Sequence, residues 1–159
     1  GASEQKFLVA GSGGYGFVAT LGDMMSRVKA GKAFMTLEAG EAPLLPVPLA
    51  AGLDHVAALS SKGRLLVFAL DEMREVPRGR GVIVMGLDAG ETLVAVDLTP
   101  ASRVVLQGTN RLGRLTLQVI EGEELAKHML RRARKGALVP KRLKNPGFAR
   151  AGWAPGSWP

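Results

Sequence analysis

Residues 56–68 read Val-Ala-Ala-Leu-Ser-Ser-Lys-Gly-Arg-Leu-Leu-Val-Phe, two short apolar runs on either side of a polar turn that contains glycine. This pattern predicts a β-hairpin, because short apolar runs bounded by turn residues form strands and glycine accepts the backbone angles of a tight turn. The same arrangement recurs at 7–21 and at 104–117. The sequence therefore predicts three copies of one hairpin.

Each hairpin opens a longer repeating unit. An acidic element follows it, and then a basic stretch with glycine; we call these stretches the basic glycine segments, and they lie at 29–33, 78–81 and 134–137. A third apolar run comes next, at 34–37, 82–85 and 137–139, and the first two units then share Ala-Gly-Glu and a fourth run. Gly16, Gly63 and Gly113 lie about 50 residues apart, a period typical of propeller blades.

Four short runs in each unit predict an all-β fold. We expect a single domain over 1–159 with about three four-stranded antiparallel blades at 7–50, 55–99 and 103–149, and a tail at 150–159. One such sheet cannot bury both of its faces alone, so the blades should pack face to face as in a propeller. Pro43, Pro46 and Pro48 interrupt the fourth run of the first unit, which predicts a strand that lies at a sheet edge or is short.

Two stretches depart from the strand pattern. Glu123/Lys127 and Lys127/Arg131 are spaced as on one face of a helix, so we expect a loop with at most a short helix over 121–135. Residues 145–159 carry three prolines and three glycines, which predicts a wrap or a loose end. Trp153 and Trp158 in this stretch favour capping of the core over stacking on bases.

The composition excludes several kinds of site. There is no cysteine, which rules out disulfides and thiolate metal sites and fits a reducing cytoplasm, and the two histidines are far apart in sequence. No apolar run approaches the roughly 20 residues of a membrane-spanning helix, and the start has no signal-peptide pattern. We therefore expect no metal site and no membrane partner.

No residue pattern in the sequence indicates a catalytic site. The glycine-rich stretch 11–16 lacks the Gly-Lys-Ser/Thr end of a phosphate-binding loop and no helix pattern follows it, so a tight β-turn is favoured. Tyr15, the only tyrosine, lies in this turn without nearby acids for Mg²⁺, which argues against a catalytic role. We expect no catalytic residue and no cofactor in this segment.

The positive charge is concentrated at one end of the chain. Residues 1–125 carry 12 Lys/Arg against 14 Asp/Glu, whereas residues 126–159 carry nine Lys/Arg and no acid. Such a block indicates either a solvated tail or a surface for a polyanion.

The basic glycine segments favour the polyanion. A cation beside glycine suits a DNA phosphate, because glycine allows the backbone to approach closely. Repeated in each blade, these segments would form a row on the outer rim that neutralises successive phosphates and bends the duplex without reading its sequence. The alternative is an ordinary solvated turn. The candidate DNA contacts are Lys29, Lys32, Arg78 and Arg80 on the rim and, in the C-terminal cluster, Arg131, Arg132, Arg134, Lys135, Lys141, Arg142 and Lys144.

The sequence resembles the C-terminal domains of the A subunit of bacterial topoisomerase IV and of its relative, the gyrase A subunit. The resemblance covers about 7–149 and is carried by Gly14-Tyr15-Gly16-Phe17, by Arg-Val-Lys-Ala-Gly-Lys-Ala at 27–33, and by Gly63-Arg64-Leu65-Leu66. Arg78-Gly79-Arg80-Gly81 and Arg134-Lys135-Gly136 resemble the basic segments of that family. The gyrase basic box, with a Gly-Gly-Lys-Gly run, is not found, which favours the topoisomerase IV branch and weaker wrapping of DNA.

This resemblance implies a β-pinwheel, in which blades exchange strands with their neighbours. Three repeats are fewer than the family domain often has, which implies its C-terminal part and a partial or open ring. It implies a non-catalytic role in holding and bending the transported DNA duplex, which sets topological preference. Strand passage by the type II topoisomerase would use ATP and Mg²⁺ through other domains. The implied partners are double-stranded DNA, the remainder of the A subunit, the B subunit, plus a condensin-type protein in some bacteria; the implied location is the cytoplasm, at the nucleoid.

A second hypothesis remains open at this point: a protein-interaction propeller with an incidental basic tail. It predicts that deletion of 126–159 leaves partner binding intact and that one blade face exposes an apolar patch.

Overall fold

The structure is a computed structural model that describes residues 1–149. Its eleven strands are β1 (Lys6–Ala10), β2 (Tyr15–Thr20), β3 (Val47–Pro48), β4 (His55–Ser60), β5 (Arg64–Ala69), β6 (Val82–Ile83), β7 (Leu93–Thr99), β8 (Arg103–Thr109), β9 (Leu115–Glu121), β10 (Ala137–Leu138) and β11 (Lys144–Phe148). Two helices accompany them, α1 (Leu21–Lys29) and α2 (Gly122–His128), with short 3-10 turns at Ala2–Glu4 and Leu70–Glu72.

All three predicted hairpins are confirmed: β1 pairs with β2, β4 with β5 and β8 with β9, each antiparallel. Their turns share one geometry, in which the N–H of a glycine with positive φ donates to the carbonyl oxygen of the residue three positions earlier. These glycines are Gly14 (φ 93°), Gly63 (φ 77°) and Gly113 (φ 76°). The repeat predicted Gly16 as the counterpart of Gly63, which is wrong by two positions, because the left-handed turn residue of the first unit is Gly14.

The sheets exchange strands between repeat units, as the resemblance implied. The strand orders are β3-β1-β2-β6, β10-β5-β4-β7 and β11-β8-β9. β6 comes from the second unit but pairs with β2 of the first, and β10 comes from the third unit but pairs with β5 of the second. The third sheet has three strands within residues 1–149, and the described arrangement is not a closed ring, which agrees with the expected partial or open ring.

The core explains why the hairpin strands are apolar along their whole length. Val56 and Ala58 of β4 pack toward the first sheet, whereas Ala57 and Leu59 pack toward the third. The middle sheet is therefore buried on both faces, which requires continuous apolar strands and not alternating ones. The outer face of the first sheet is covered by α1, whose Met24 packs with Phe17.

Several predictions about individual elements were wrong. α1 was missed, and the third run of the first unit, 34–37, forms only an isolated bridge between Met35 and Gly79. Residues 145–148, predicted as part of a wrap or a loose end, belong to strand β11, which pairs with β8. Two others are confirmed: α2 is a short helix within 121–135, and the proline-interrupted run yields β3, two residues long at a sheet edge.

Candidate nucleic-acid interface

The C-terminal basic cluster is folded as far as the structure describes it. Residues 137–138 and 144–148 are strands of the second and third sheets, and His128, Leu143 and Phe148 are buried. A solvated tail is therefore the wrong interpretation for 126–149, because this stretch contributes a strand to each of two sheets. Arg150, Trp153, Trp158 and the predicted tail at 150–159 lie outside the described residues.

The three hairpin turns lie at one end of the stacked sheets. Leu93 N, at the start of β7, donates to Ser12 O of the first turn at 2.8 Å. The Arg142 guanidinium, in the segment before β11, donates to Ser61 O of the second turn at 2.7 Å. Since β7 and β11 begin beside the second and third turns, these bonds link the turns in series.

The basic glycine segments are also linked in series, near the same end. Gly79 N of the second segment donates to Phe34 O, directly after the first segment, at 3.0 Å. Gly86 N, directly after the apolar run 82–85 that follows the second segment, donates to Arg134 O of the third at 2.9 Å. The structure therefore brings these segments together as neighbours, in the order that the repeat predicts.

Gly81 of the second segment and Gly136 of the third have a packing function. A Cβ atom on Gly81 would collide with Gly16 O, and one on Gly136 would collide with Leu65 O. Each of these two glycines lets the exchanged strand that follows it approach the strand with which it pairs. At Gly31 of the first segment no atom lies within 4 Å of the corresponding position. At Gly81 and Gly136 glycine therefore reflects strand exchange, so its presence there does not by itself indicate phosphate binding.

The predicted rim contacts differ in whether their charged groups are free to meet a phosphate. Lys29, Lys32 and Arg78 are exposed, and none has an ion-pair partner in the described part of the chain. Arg80 is different: it bonds Glu38 at 2.5 Å and Glu41 at 3.2 Å, and its guanidinium lies 3.8 Å from the centre of the Tyr15 ring. Its charge is used inside the protein, so Arg80 is unsuited to the phosphate role predicted for it.

Lys135 occupies the same place in the second sheet as Arg80 in the first, directly before the glycine of the exchanged strand. Its Nζ is paired with Asp88, which also lies 3.4 Å from Lys62 Nζ. The hydrogen bond from Lys135, and then that from Lys62, hold the pKa of Asp88 below its usual value. Both lysines nevertheless keep about half of their side-chain surface exposed, so they form a partly neutralised basic patch.

The cluster at 131–134 has a mixed role. Arg132 donates to Ile83 O at 2.7 Å and so holds the exchanged strand β6. Arg131 bonds Glu72 at 3.1 Å but is 79% exposed, while Arg134 is exposed without an ion-pair partner among the described residues. Burial tends to raise the pKa of Glu72, but the bonds from Arg131 and Arg132 outweigh it and lower that pKa. Arg131 and Arg134 are thus the available cations here.

Lys141, Arg142 and Lys144 lie between the second and third turns. Lys141 N donates to Gln118 Oε1, and Gln118 Nε2 donates to Lys141 O. Lys144 pairs with Thr109 next to the third turn. All three side chains are exposed. With Lys62 and Lys135 they form one surface across the second and third sheets, which we call the basic ridge (Lys62, Lys135, Lys141, Arg142, Lys144).

Sequence reasoning missed Lys62 in this ridge. The repeated Gly-Arg-Leu at 63–65 and 113–115 was a signal that could have found it, because the residues around it occupy the turn in each sheet. Tyr15, considered above as a catalytic candidate, has its ring beneath Arg80. Within residues 1–149 no cluster of three acidic or histidine side chains suits a metal ion, and no described helix is long and apolar enough to cross a membrane.

Comparison with known proteins agrees with this architecture. The signature of the DNA gyrase C-terminal domain, a β-propeller, matches residues 54–100. The DNA topoisomerase 4 A subunit of Neisseria gonorrhoeae is 35% identical over 92% of this chain, and that of Pseudomonas aeruginosa is 32% identical over 87%. The structure of the E. coli ParC C-terminal domain superposes with a TM-score of 0.78 at 25% identity, covering 94% of this chain and 60% of that one.

The stacked sheets and exchanged strands define a β-pinwheel of the gyrase C-terminal class. The chain spans 20% of the N. gonorrhoeae relative and 19% of the P. aeruginosa relative. Within the β-pinwheel class it is homologous to the C-terminal domain of the A subunit of bacterial topoisomerase IV.

Proposed function

We propose that this chain is a non-catalytic DNA-binding and DNA-bending segment of the A subunit of a type II topoisomerase. The observation that carries the proposal is the basic ridge, which joins exposed cations of two sheets on the side where the hairpin turns lie. The homology to the DNA topoisomerase 4 A subunit supports it, since such an enzyme acts on DNA.

The chemistry of the ridge suits phosphates and not bases. Exposed lysine and arginine side chains suit the phosphate backbone of a duplex, and phosphate contacts position a protein without reading sequence. Successive contacts along a curved row favour bending of the duplex around them. Binding should therefore be independent of sequence and weaken steeply with salt.

The proposal extends to the parent enzyme. Strand passage, with ATP and Mg²⁺, would be carried out by the B subunit together with other domains of the A subunit. A condensin-type protein is a further proposed partner, and the bacterial cytoplasm, at the nucleoid, is the proposed location. These follow from the homology and from the proposed DNA ligand.

The test is a salt titration of binding to a random-sequence duplex, followed by fluorescence anisotropy. Neutralising about five phosphates gives a slope of log K against log salt near about −4.5. The variant Arg134→Gln/Lys141→Gln/Lys144→Gln should flatten that slope by about 3. The control Lys6→Gln/Arg74→Gln, away from the turns, should bind like the unmodified chain. Affinity that does not change with salt would exclude the proposal.

Deletion of 126–159 is a poor way to separate DNA binding from the protein-interaction alternative. It removes β10 and β11, and with them strands of two sheets. Point substitutions of exposed cations leave those strands in place. Their effect on DNA affinity therefore reports the lost positive charge and not the loss of the fold.

A further inference from the structure

We propose that the third hairpin turn, through Arg111 and Arg114, is the strongest DNA contact of this chain, because its sheet lacks the acidic loop that neutralises the other two turns. This inference rests on the proposed DNA binding and names residues that neither the repeat nor the basic glycine segments indicated.

The acidic loops are residues 38–41 and 88–91, which read Glu-Ala-Gly-Glu and Asp-Ala-Gly-Glu. They have the same geometry, since the last glutamate accepts a bond from the first residue's N–H at 2.8 Å in each. Each loop is fixed beside a hairpin turn: Ala42 N donates to Ser12 Oγ, and Thr92 N donates to Ser61 Oγ, both at 2.9 Å. They are therefore equivalent parts of the first and second sheets.

These loops neutralise the cations around the first two turns. Glu38 and Glu41 bind Arg80 beside the first turn. Asp88 binds Lys135 and Lys62 beside the second, and Arg64 lies 3.8 Å from Glu91 and 4.0 Å from Asp88. A phosphate that approaches either turn meets fixed carboxylates as well as cations, which lowers the net attraction.

The third sheet replaces the acidic loop with a basic one. β11 pairs with β8 as β7 pairs with β4, so residues 140–143, directly before β11, occupy the place of the loop. They read Pro-Lys-Arg-Leu, and Lys144 follows. Residues 104–120 and 136–149 contain no Asp or Glu at all, while they carry Arg111, Arg114, Lys141, Arg142 and Lys144.

The third turn also presents its arginines in a fixed arrangement. Asn110 Oδ1 accepts bonds from Leu112 N at 2.9 Å and from Arg114 N at 3.1 Å, which orders the turn before any ligand binds. Arg111 and Arg114 are exposed, and neither forms an ion pair with any residue of 1–149. Both arginines therefore keep their charge free of internal partners within residues 1–149.

The test compares Arg111→Gln/Arg114→Gln with the unmodified chain by anisotropy on a random-sequence duplex at about 0.1 M salt. We expect affinity to fall at least about tenfold and the salt slope to flatten by about 2, because two phosphate contacts are lost. Arg111→Lys/Arg114→Lys should keep most of the affinity, since it keeps both charges. Leu112→Ser, at the tip of the same turn, should leave the slope unchanged because that residue carries no charge.

The outcomes separate this inference from the proposed function. If the unmodified chain binds DNA and the glutamine variant keeps its affinity and slope, the third turn is not the main contact and the inference is overturned. If the unmodified chain does not bind DNA, the proposed function itself fails. Urea unfolding of each variant should give the midpoint of the unmodified chain, because the substituted side chains are exposed.

Discussion

The guanidinium of Arg80 lies 3.8 Å from the centre of the Tyr15 ring, although the two residues belong to different repeat units. Arg80 comes directly before Gly81 and the exchanged strand β6, whereas Tyr15 begins β2, to which β6 pairs. Glu38 and Glu41 of the first unit complete the contact. This cation therefore fixes the exchange of a strand between sheets, and its neighbour Arg78 is the exposed one.

Arg80 and Arg78 should consequently behave in opposite ways. Arg80→Ala should lower the free energy of unfolding by about 1 kcal/mol, because a partly buried cation–π contact and two ion pairs are lost, with little effect on DNA affinity. Arg78→Ala should weaken DNA binding without changing the urea midpoint. Arg80→Lys, which keeps the charge but loses the planar stacking, should fall between Arg80→Ala and the unmodified chain in stability. Equal effects of both alanine variants on DNA affinity would contradict this division.

Strand exchange can be tested at the glycines of the basic segments. Gly81→Ala should be strongly destabilising, because its Cβ would collide with Gly16 O and its φ is 81°. Gly31 has a similar φ of 70°, but no atom lies within 4 Å of an added Cβ. Gly31→Ala should therefore lower the free energy of unfolding only by the strain of the left-handed backbone, about 1 kcal/mol. In urea unfolding we expect the cost of Gly81→Ala to exceed that of Gly31→Ala by about 2 kcal/mol or more. Equal costs would show that the close approach of β6 is not required.

The hairpins were accessible from the sequence because they depend on local signals, whereas the exchange of strands was implied only by the family resemblance. Apolar runs on each side of a glycine turn specify a hairpin wherever they occur. Helix α1 was missed because Gly22 and Ser26 interrupt its pattern and the apolar run before it suggested a longer strand. A signal was present: Thr20 Oγ1 caps the helix by accepting from Asp23 N at 3.1 Å, and basic residues end the helix.

The sequence could not predict which cations are paired inside the protein and which are free to bind phosphate. Arg80 meets Glu38, 42 positions away in sequence, only because β6 crosses to the preceding sheet. Arg132 likewise reaches Ile83 O, 49 positions away. A one-dimensional pattern shows that a segment is basic, but the partner of each cation depends on long-range pairing of the sheets. Arg111 and Arg114 were overlooked for the same reason, since what distinguishes them is the missing acid nearby.

If acidic loops restrain DNA binding, removal of one should strengthen it. Asp88→Asn should raise affinity for a random-sequence duplex by about fivefold at low salt and steepen the salt slope by about 1 to 2, because Lys62 and Lys135 become available to phosphates. The control is Asp71→Asn, an exposed acid whose removal changes the net charge equally. Similar gains for both variants would show a general charge effect, and unchanged affinity of Asp88→Asn would contradict the restraint.

The contact between Glu124 and His128 predicts a specific pH dependence of stability. His128 is fully buried, with Nε2 2.8 Å from Glu124 Oε2 and Nδ1 3.0 Å from Leu65 O, so this pair fixes α2 on β5. The hydrogen bond from His128 holds the pKa of Glu124 below its usual value, although burial opposes the shift. Because the folded pKa lies below the unfolded one, Glu124 contributes stability above the unfolded value, and that stability is lost as pH falls through the folded pKa.

Urea unfolding measured from about pH 7 to about pH 3 checks this pH dependence. Glu124→Gln should be less stable than the unmodified chain at neutral pH, and the difference should shrink at the acidic end, because there the unmodified chain has also lost its ionised carboxylate. Glu123→Gln, an exposed neighbour on the same helix turn, should follow the unmodified chain throughout. A difference that stays constant across the range would mean that Glu124 acts through packing alone, since a packing contribution does not depend on the protonation of the carboxylate.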